Sequence, residues 1–408
     1  MFSSIARGGL QRDTAFALVV IAVAILLVAL PSGFESPYAY QAERTRALVL
    51  EADNSNIQQF GIVKAGSQRL RVRILDGRFA NVEVEAGNDL IGKMETDKVF
   101  SPGDTAYVVL DVEQDRVISA TAYDHFRIDT EALLFALFAL LLVGFAGWTG
   151  ARALLSFVFA VLLLWKVLFP SILMGRDPVF VSLLVVAMLT AVTMTLVAGV
   201  GKRALVAILG SLLGLLLTWG LATLLLPPFD LHGAILPFSE TLLYSGFAHL
   251  NLTRLFVASI FLGASGAVMD LAIDVSASMH EVVQKRPDLS FWQLVQSGLE
   301  VGRAMTSTMV TTLLMAYTSG YMALLMVFMA QGTPPVNILN TNYVAAEILR
   351  TLVGSFGLVT VAPFTALVGG LLYVVRRPQS EPASQPLAIQ SPDGVPFPHA
   401  SSRGDPSG

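Results

Sequence analysis

Hydrophobic and polar positions divide this chain into regimes with different periods. After a short polar start, residues 15–30 are continuously apolar. Beyond them, Leu70, Val72 and Ile74 alternate with Arg69, Arg71 and Arg73, and Val82 and Val84 alternate with Glu83 and Glu85. Period-two alternation is the mark of half-buried strands. Asp76-Gly77, Gly87-Asn88-Asp89 and Pro102-Gly103-Asp104 read as turns between such strands, and a further strand is expected over 106–112. Short strands and tight turns in a region of this size predict a small β-barrel of the OB or SH3-like kind over 32–129.

From residue 131 the pattern changes again. Apolar runs fall at 132–148, 151–169, 178–199, 203–226, 253–275, 306–330 and 344–375. Each suits a hydrocarbon core of about 30 Å. With residues 15–30 as an uncleaved anchor, the expectation is eight membrane helices. A signal peptide is the alternative for 15–30, but no A-x-A site follows the apolar run before Pro31. The run at 344–375 is long and holds Pro363, so it is expected to be a tilted or broken helix, or an interfacial segment leading into a span.

The expected fold is therefore a polytopic α-helical membrane protein with a small extracytosolic β-barrel (OB/SH3-like) domain. Its parts are a cytosolic stub and anchor (1–31), the β-rich domain (32–129), a seven-span membrane domain (130–377) and a disordered cytosolic tail (378–408).

Two connecting segments carry more pattern than a loop needs. Residues 227–252 are apolar enough for an interfacial or re-entrant helix. In 282–302, Ser290 is a candidate N-cap, and Phe291, Leu294, Val295, Gly298 and Leu299 form one face. That predicts a cytosolic amphipathic helix over 290–301 lying on the membrane surface. The tail from Pro378 is rich in Pro, Ser and Gly, and its Arg403-Gly404-Asp405 reads as coincidence.

Composition sharpens the class. The chain is 54% hydrophobic and 14% charged, against about 25% charged in soluble domains. Arg7, Arg12, Arg152, Lys202, Arg203, Lys285, Arg286, Arg303, Arg376 and Arg377 fall in loops on one side of the expected topology. Arg176, Arg254 and Arg350 fall near the other. The positive-inside rule then places both termini in the cytosol. The sequence has no cysteine, which excludes disulfides and thiolate chemistry. Scattered basic residues give no nucleic-acid footprint. The expected partners are membrane lipids and a proton or small cation, with no cofactor and no metal; the oligomeric state is open.

Candidate chemistry concentrates in the helix around LFVASIFLGASGAVMDLAIDVSASMHE. Asp270 and Asp274 lie at i and i+4, after a patch of small residues from Gly263 to Ala267 and before Ser278 and Glu281 on nearly the same face. Ionisable groups within a span are costly and are functional candidates by default. The bland alternative is that both aspartates sit at the headgroups and end the helix. Thr308, Thr311 and Thr312 form a hydroxyl stripe on a later helix, either facing Asp270 or bonding their own backbone. Glu347 and Arg350 are spaced to pair with each other and, with Glu281, are accessory polar candidates.

No enzyme is expected. Gly263-Ala264-Ser265-Gly266 matches the GxSG of rhomboid proteases, but the downstream His280 lies roughly 22 Å further along the same helix. A GxGD motif is absent, and LVAGVGKR lacks the first glycine and the Ser/Thr of a P-loop.

The stretches GASGAVMDLAIDVSASMHE at 263–281, DLSFWQLVQSGLEVGRAMTSTMVTTLLMAY at 288–317 and NYVAAEILRTLVGSFGLVTVAPFTAL at 342–367 resemble the YibE/F family of multi-helix bacterial membrane proteins. That resemblance implies a location and a fold more than an activity. More distantly, an Asp-bearing helix followed by a Ser/Thr-bearing one is similar to the RND and SecDF-type pattern, in which the aspartate carries protons. Asp270 matches that position, with Thr308, Thr311 and Thr312 on the partner helix. The chain differs in its extra preceding spans and in lacking large porter domains. The resulting expectation is a proton- or cation-coupled transporter. The alternative is a non-transporting scaffold whose β-domain binds a partner outside the cytosol.

Overall fold

The computed structural model describes residues 2–34 and 43–374; the expected tail, with Arg376, Arg377 and the Arg403-Gly404-Asp405 triplet, lies outside the described residues. Helix α1 (Phe2–Ala29) leads to strands β1 (Glu43–Asp53), β2 (Ile57–Phe60), β3 (Val63–Ile74), β4 (Glu83–Ile91), β5 (Thr105–Glu113) and β6 (Arg116–His125). The sheet closes on itself: β1 pairs with β5 and β3, β3 with β4, β5 with β6, and β6 runs parallel to β4. The result is a five-strand barrel with β2 added on β3.

Alternation decides which side chains fill the barrel. Leu70, Val72 and Ile74 are buried with Val49, Val108 and Leu110, while Arg71 and Arg73 point outward and pair with Glu51 and Glu83. One expected turn is corrected. Gly87-Asn88-Asp89 lies within β4, paired with β3, and Asn88 is opposite Gln68. Both amides are fully buried. Gln68 bonds the backbone N–H and C=O of Phe100 at 3.1 and 2.7 Å, and Asn88 donates to Gln68 at 3.1 Å. A turn-like tripeptide stays in a strand because its polar side chain has interior partners.

The helical part continues with α2 (Ile128–Leu163), a π turn (Leu164–Leu168), α3 (Phe169–Leu173), α4 (Pro178–Ala198) and α5 (Lys202–Leu225). Then come α6 (Ser239–Tyr244), α7 (Leu252–Lys285), α8 (Phe291–Ser319), α9 (Met322–Ala330), α10 (Pro335–Asn340) and α11 (Asn342–Val374). Among the described residues, six helical stretches are long and apolar enough to cross a membrane, or seven if α8 and α9, bent by 68° at their junction, count as one.

The longest of these, 128–173, reverses direction at Gly147, whose φ of 55° and ψ of −132° are not helical. Phe135 and Phe157 lie with ring centroids 6.2 Å apart, whereas a straight helix would separate these residues by roughly 33 Å. A Cβ on Gly150 would fall 2.3 Å from the Leu142 carbonyl oxygen. The stretch is a helical hairpin, and the apolar runs 132–148 and 151–169 occupy its two arms.

Polar contacts mark two ends of the bundle. At one, Asp13 accepts from the Val200 N–H at 2.8 Å and pairs with Arg152 at 3.4 Å, and Lys202 Nζ donates to the Leu372 carbonyl at 2.9 Å. At the other, Arg254 pairs with Asp177 and Lys166 Nζ donates to the Leu30 carbonyl at 3.3 Å.

Three further expectations meet the structure. The 227–252 segment forms short 3₁₀ turns and α6 rather than a long helix, with Leu231, Ile235 and Leu250 buried. The 344–375 run is one helix through Pro363. The 290–301 segment is not a separate surface helix. Ser290 does cap it, in a capping box with Gln293, but the helix runs unbroken to Ser319. Its apolar face packs inside the bundle, with Leu294 and Val295 buried and Gly298 close against Met279 and Ala366. The amphipathic face reads the same whether it meets lipid or other helices.

Candidate functional site

Helix α7 is the centre of the bundle, packed against α4, α5, α8 and α11. Its sides can be assigned residue by residue. Leu255 and Leu262 join the cluster formed by α1, the hairpin and α4. Ser276 donates to the Arg203 carbonyl of α5 at 2.8 Å. Ala264 lies near Gly354 of α11, and Val275 near Gly302 of α8. One strip is left exposed: Gly263, where an added Cβ would lie 3.0 Å from the Tyr317 hydroxyl of α8, then Gly266, Asp270 and Glu281 at helical spacing. A Cβ on Gly266 would meet nothing within 4 Å, so the strip is open there.

Asp270 therefore lies on an open face and Asp274, half-buried, is one turn further along. Neither carboxylate has a hydrogen bond or an ion pair among the described residues. Both precede the end of α7 by several turns, since the helix runs on to Lys285. They do not act as its C-cap. Glu281 is exposed nearer that end.

The threonines stand as follows. α7 and α8 are antiparallel, with Met279 against Gly298, Val275 against Gly302 and Gly263 beside the Tyr317 hydroxyl. That register sets Thr308 level with Asp270, and Thr312 one turn above it. Both are exposed. Their hydroxyls turn inward on their own helix, Thr308 donating to the Met305 carbonyl at 3.0 Å and Thr312 to the Thr308 carbonyl at 3.1 Å. Thr311 points further from α7 and is exposed. The stripe thus flanks the aspartate without bonding it.

A second polar cluster lies towards the opposite end of the bundle. Glu347 on α11 is 8% exposed and pairs with Arg350 at 3.5 Å, yet both its carboxylate oxygens lack a hydrogen bond. Arg350 also sits 5.7 Å from the centre of the Phe256 ring. The Tyr317 hydroxyl is buried nearby without a hydrogen bond, and both Tyr317 and Tyr321 lie within reach of the charges on Glu347 and Arg350. Sequence reading missed the two tyrosines, Tyr317 near the end of α8 and Tyr321 at the bend beyond it; their i, i+4 spacing was the available signal. No group of three or more His, Asp or Glu side chains among the described residues is placed to hold a metal.

These helices are also where the chain matches known sequences. The family model described as YibE/F-like protein matches residues 134–375, more than half of the chain. The chain belongs to the YibE/F-like family. The match begins in the first arm of the hairpin and ends just past α11, so both polar clusters of this YibE/F-like chain lie within it and the β-barrel outside it. No curated protein and no solved structure matches the chain.

Proposed function

We propose that this YibE/F-like membrane protein is a proton- or cation-coupled transporter of the bacterial cytoplasmic membrane, with Asp270 as its ion site. In this reading the two arms of the hairpin, α1, α4, α5, α7, α8–α9 and α11 make eight crossings. The end that holds Arg152 and Lys202 faces the cytosol, as their basic charge favours.

The observation that carries the reading is the position of Asp270. It is an unpaired carboxylate within the central helix, on the one strip of that helix left open, floored above it by glycines. An aspartate at the centre of a membrane helix costs about 2.5–3.5 kcal/mol on insertion scales. A residue whose only role was to end the helix or to lock it to a neighbour would lie at the terminus or in an ion pair. Asp270 does neither. Asp274, one turn away, repels a second negative charge and so favours loading of a proton or cation at the pair.

Proton flux in vesicles tests this. Asp270→Asn keeps size and polarity but cannot titrate, so it is expected to insert normally and abolish flux, while Asp274→Asn reduces it less. Flux that persists in Asp270→Asn would sink the assignment.

The second reading, a scaffold that docks an envelope partner through the barrel, has an observation of its own. Phe60, Ile62, Ile91 and Met94 are all more than half exposed at one tip of the barrel, around a small cleft. No flux in unmodified vesicles, together with loss of partner retention in Ile62→Asp, would favour it.

A further inference from the structure

Cations towards the end of the bundle opposite Lys202 have local partners, with one exception. Arg254 pairs with Asp177, Arg350 with Glu347, and Lys166 Nζ donates to the Leu30 carbonyl just past α1. Arg176, in the turn between α3 and α4, is exposed, and its guanidinium has no hydrogen bond or ion pair among the described residues. Asp177 beside it is already engaged. That carboxylate accepts from the Phe180 N–H at 2.8 Å and carries the charge of Arg254. Arg176 therefore leaves one positive charge uncompensated at this end.

The same turn closes a groove. A cavity of about 490 Å³ lies between the second arm of the hairpin and α4, with Arg176 and Asp177 at its polar end. Leu163, Val167 and Ser171 line one wall, and Phe180, Leu184 and Met188 the other. The last three recur every fourth residue and are exposed by 62%, 56% and 50%, so the groove opens outward from the bundle. In a chain of membrane helices that opening faces lipid tails. From Asp177 to Met188 the helix rises roughly 16 Å, close to the roughly 15 Å depth of one leaflet's tails.

Charge selects the occupant. A guanidinium binds a phosphate through two parallel N–H donors, and no side chain holds that of Arg176 elsewhere. A zwitterionic head would bring an ammonium as well, and the nearest carboxylate, Asp177, is taken by Arg254. A head with net negative charge leaves nothing unpaired.

We propose that this groove holds an anionic phospholipid, its phosphate on Arg176 and one acyl chain along Phe180, Leu184 and Met188. The site shares no residue with the strip at Asp270 and stands whether or not that aspartate carries ions.

The test uses the whole protein in detergent micelles, titrated with phosphatidylglycerol that carries a diazirine on one chain, beside phosphatidylethanolamine with the same chains. Labelled peptides are identified by mass spectrometry. Phosphatidylglycerol is expected to label 163–188 saturably, with phosphatidylethanolamine about tenfold weaker, the worth of one charge-assisted contact. Arg176→Gln is expected to bring both lipids to the weaker level. Leu184→Trp fills the groove and is expected to weaken both. Arg176 and Leu184 are exposed, so neither substitution disturbs the core. Inorganic phosphate in excess is expected to leave the labelling unchanged; displacement by it would assign a free-phosphate site and overturn the lipid. Equal labelling by both lipids in the unmodified protein, labelling that does not saturate, a preference that survives Arg176→Gln, or labelling unchanged in Leu184→Trp would each overturn the proposal too.

Discussion

Thr218 on α5 and Gly357 on α11 are in contact so close that no side chain fits between them: a Cβ on Gly357 would fall 1.9 Å from Thr218 Oγ1. Thr218 is fully buried and its hydroxyl already donates to the Gly214 carbonyl at 2.9 Å, so it cannot easily turn aside. One turn away along the same seam, Gly214 lies against Val361, and Gly210 against Thr365. Small residues on both helices let the backbones approach, which is how helices associate in lipid, where hydrophobic burial gives no drive.

Gly357→Ala is accordingly expected to lower the thermal midpoint of the purified protein, by overpacking worth about 1–3 kcal/mol. Thr218→Ala in the same chain should recover part of the loss. Two independent, additive losses would show that the contact is not the cause.

The open strip over Asp270 admits a chemical probe, because the sequence has no cysteine. Gly266→Cys places a thiol where a Cβ meets no neighbour, so the variant should fold as the unmodified chain does. A membrane-impermeant maleimide is expected to label it if the strip is wetted, as the transport reading requires. Labelling by lipophilic reagents alone would show a strip facing lipid and count against a water path to Asp270.

In the barrel, Gln68 holds both the N–H and the C=O of buried Phe100. Gln68→Leu conserves volume but leaves both backbone groups and the Asn88 amide short of a partner. Each unsatisfied group costs about 1–3 kcal/mol. The expected outcome is a barrel that exchanges its amide hydrogens with solvent far faster than the unmodified chain, while peptides from α4, α5 and α11 are unchanged. Unaltered protection in β3 and β4 would refute the network's importance.

Acid should act on the barrel through Asp76. The Arg46 guanidinium bonds Asp76 and holds its carboxyl below the usual carboxylate range. A depressed folded-state value contributes stability above the ordinary pKa of about 3.9, lost as pH falls through the folded value. Both side chains are partly exposed to solvent, so the effect is small. Arg46→Met should make the barrel more susceptible to proteolysis at neutral pH. The part of the difference due to charge should fade below about pH 3.9. A difference that stays constant down to lower pH would assign it to lost packing of Arg46 on Phe126 instead.

The amino-acid sequence alone determined the class, the order of parts and the residues worth testing. Apolar runs are set by the requirement that backbone groups be satisfied within each span, and that requirement is local. Period-two alternation likewise fixed which side of each strand faces the barrel, as at Leu70, Val72 and Ile74. The two runs at 132–148 and 151–169 are legible as separate arms, and the chain turns at Gly147, near the end of the first; Pro363 is tolerated within α11 where composition left it open.

Only the tertiary structure decided what each face meets. Leu294 and Val295 look equally apolar to lipid and to α11, so only the assembled bundle shows that they are interior. Asn88 reads as a turn until Gln68 is placed opposite it. Thr308 and Asp270 come level through the antiparallel register of α7 and α8, set by Gly298 and Gly302 against Met279 and Val275. A cavity lined by Leu314, Leu325, Leu339 and Leu352 depends on a bend between α8 and α9 and on residues from four helices. A side chain's period is written in its neighbours along the chain, but its partner is chosen by packing between segments far apart in sequence, and no local pattern carries that information.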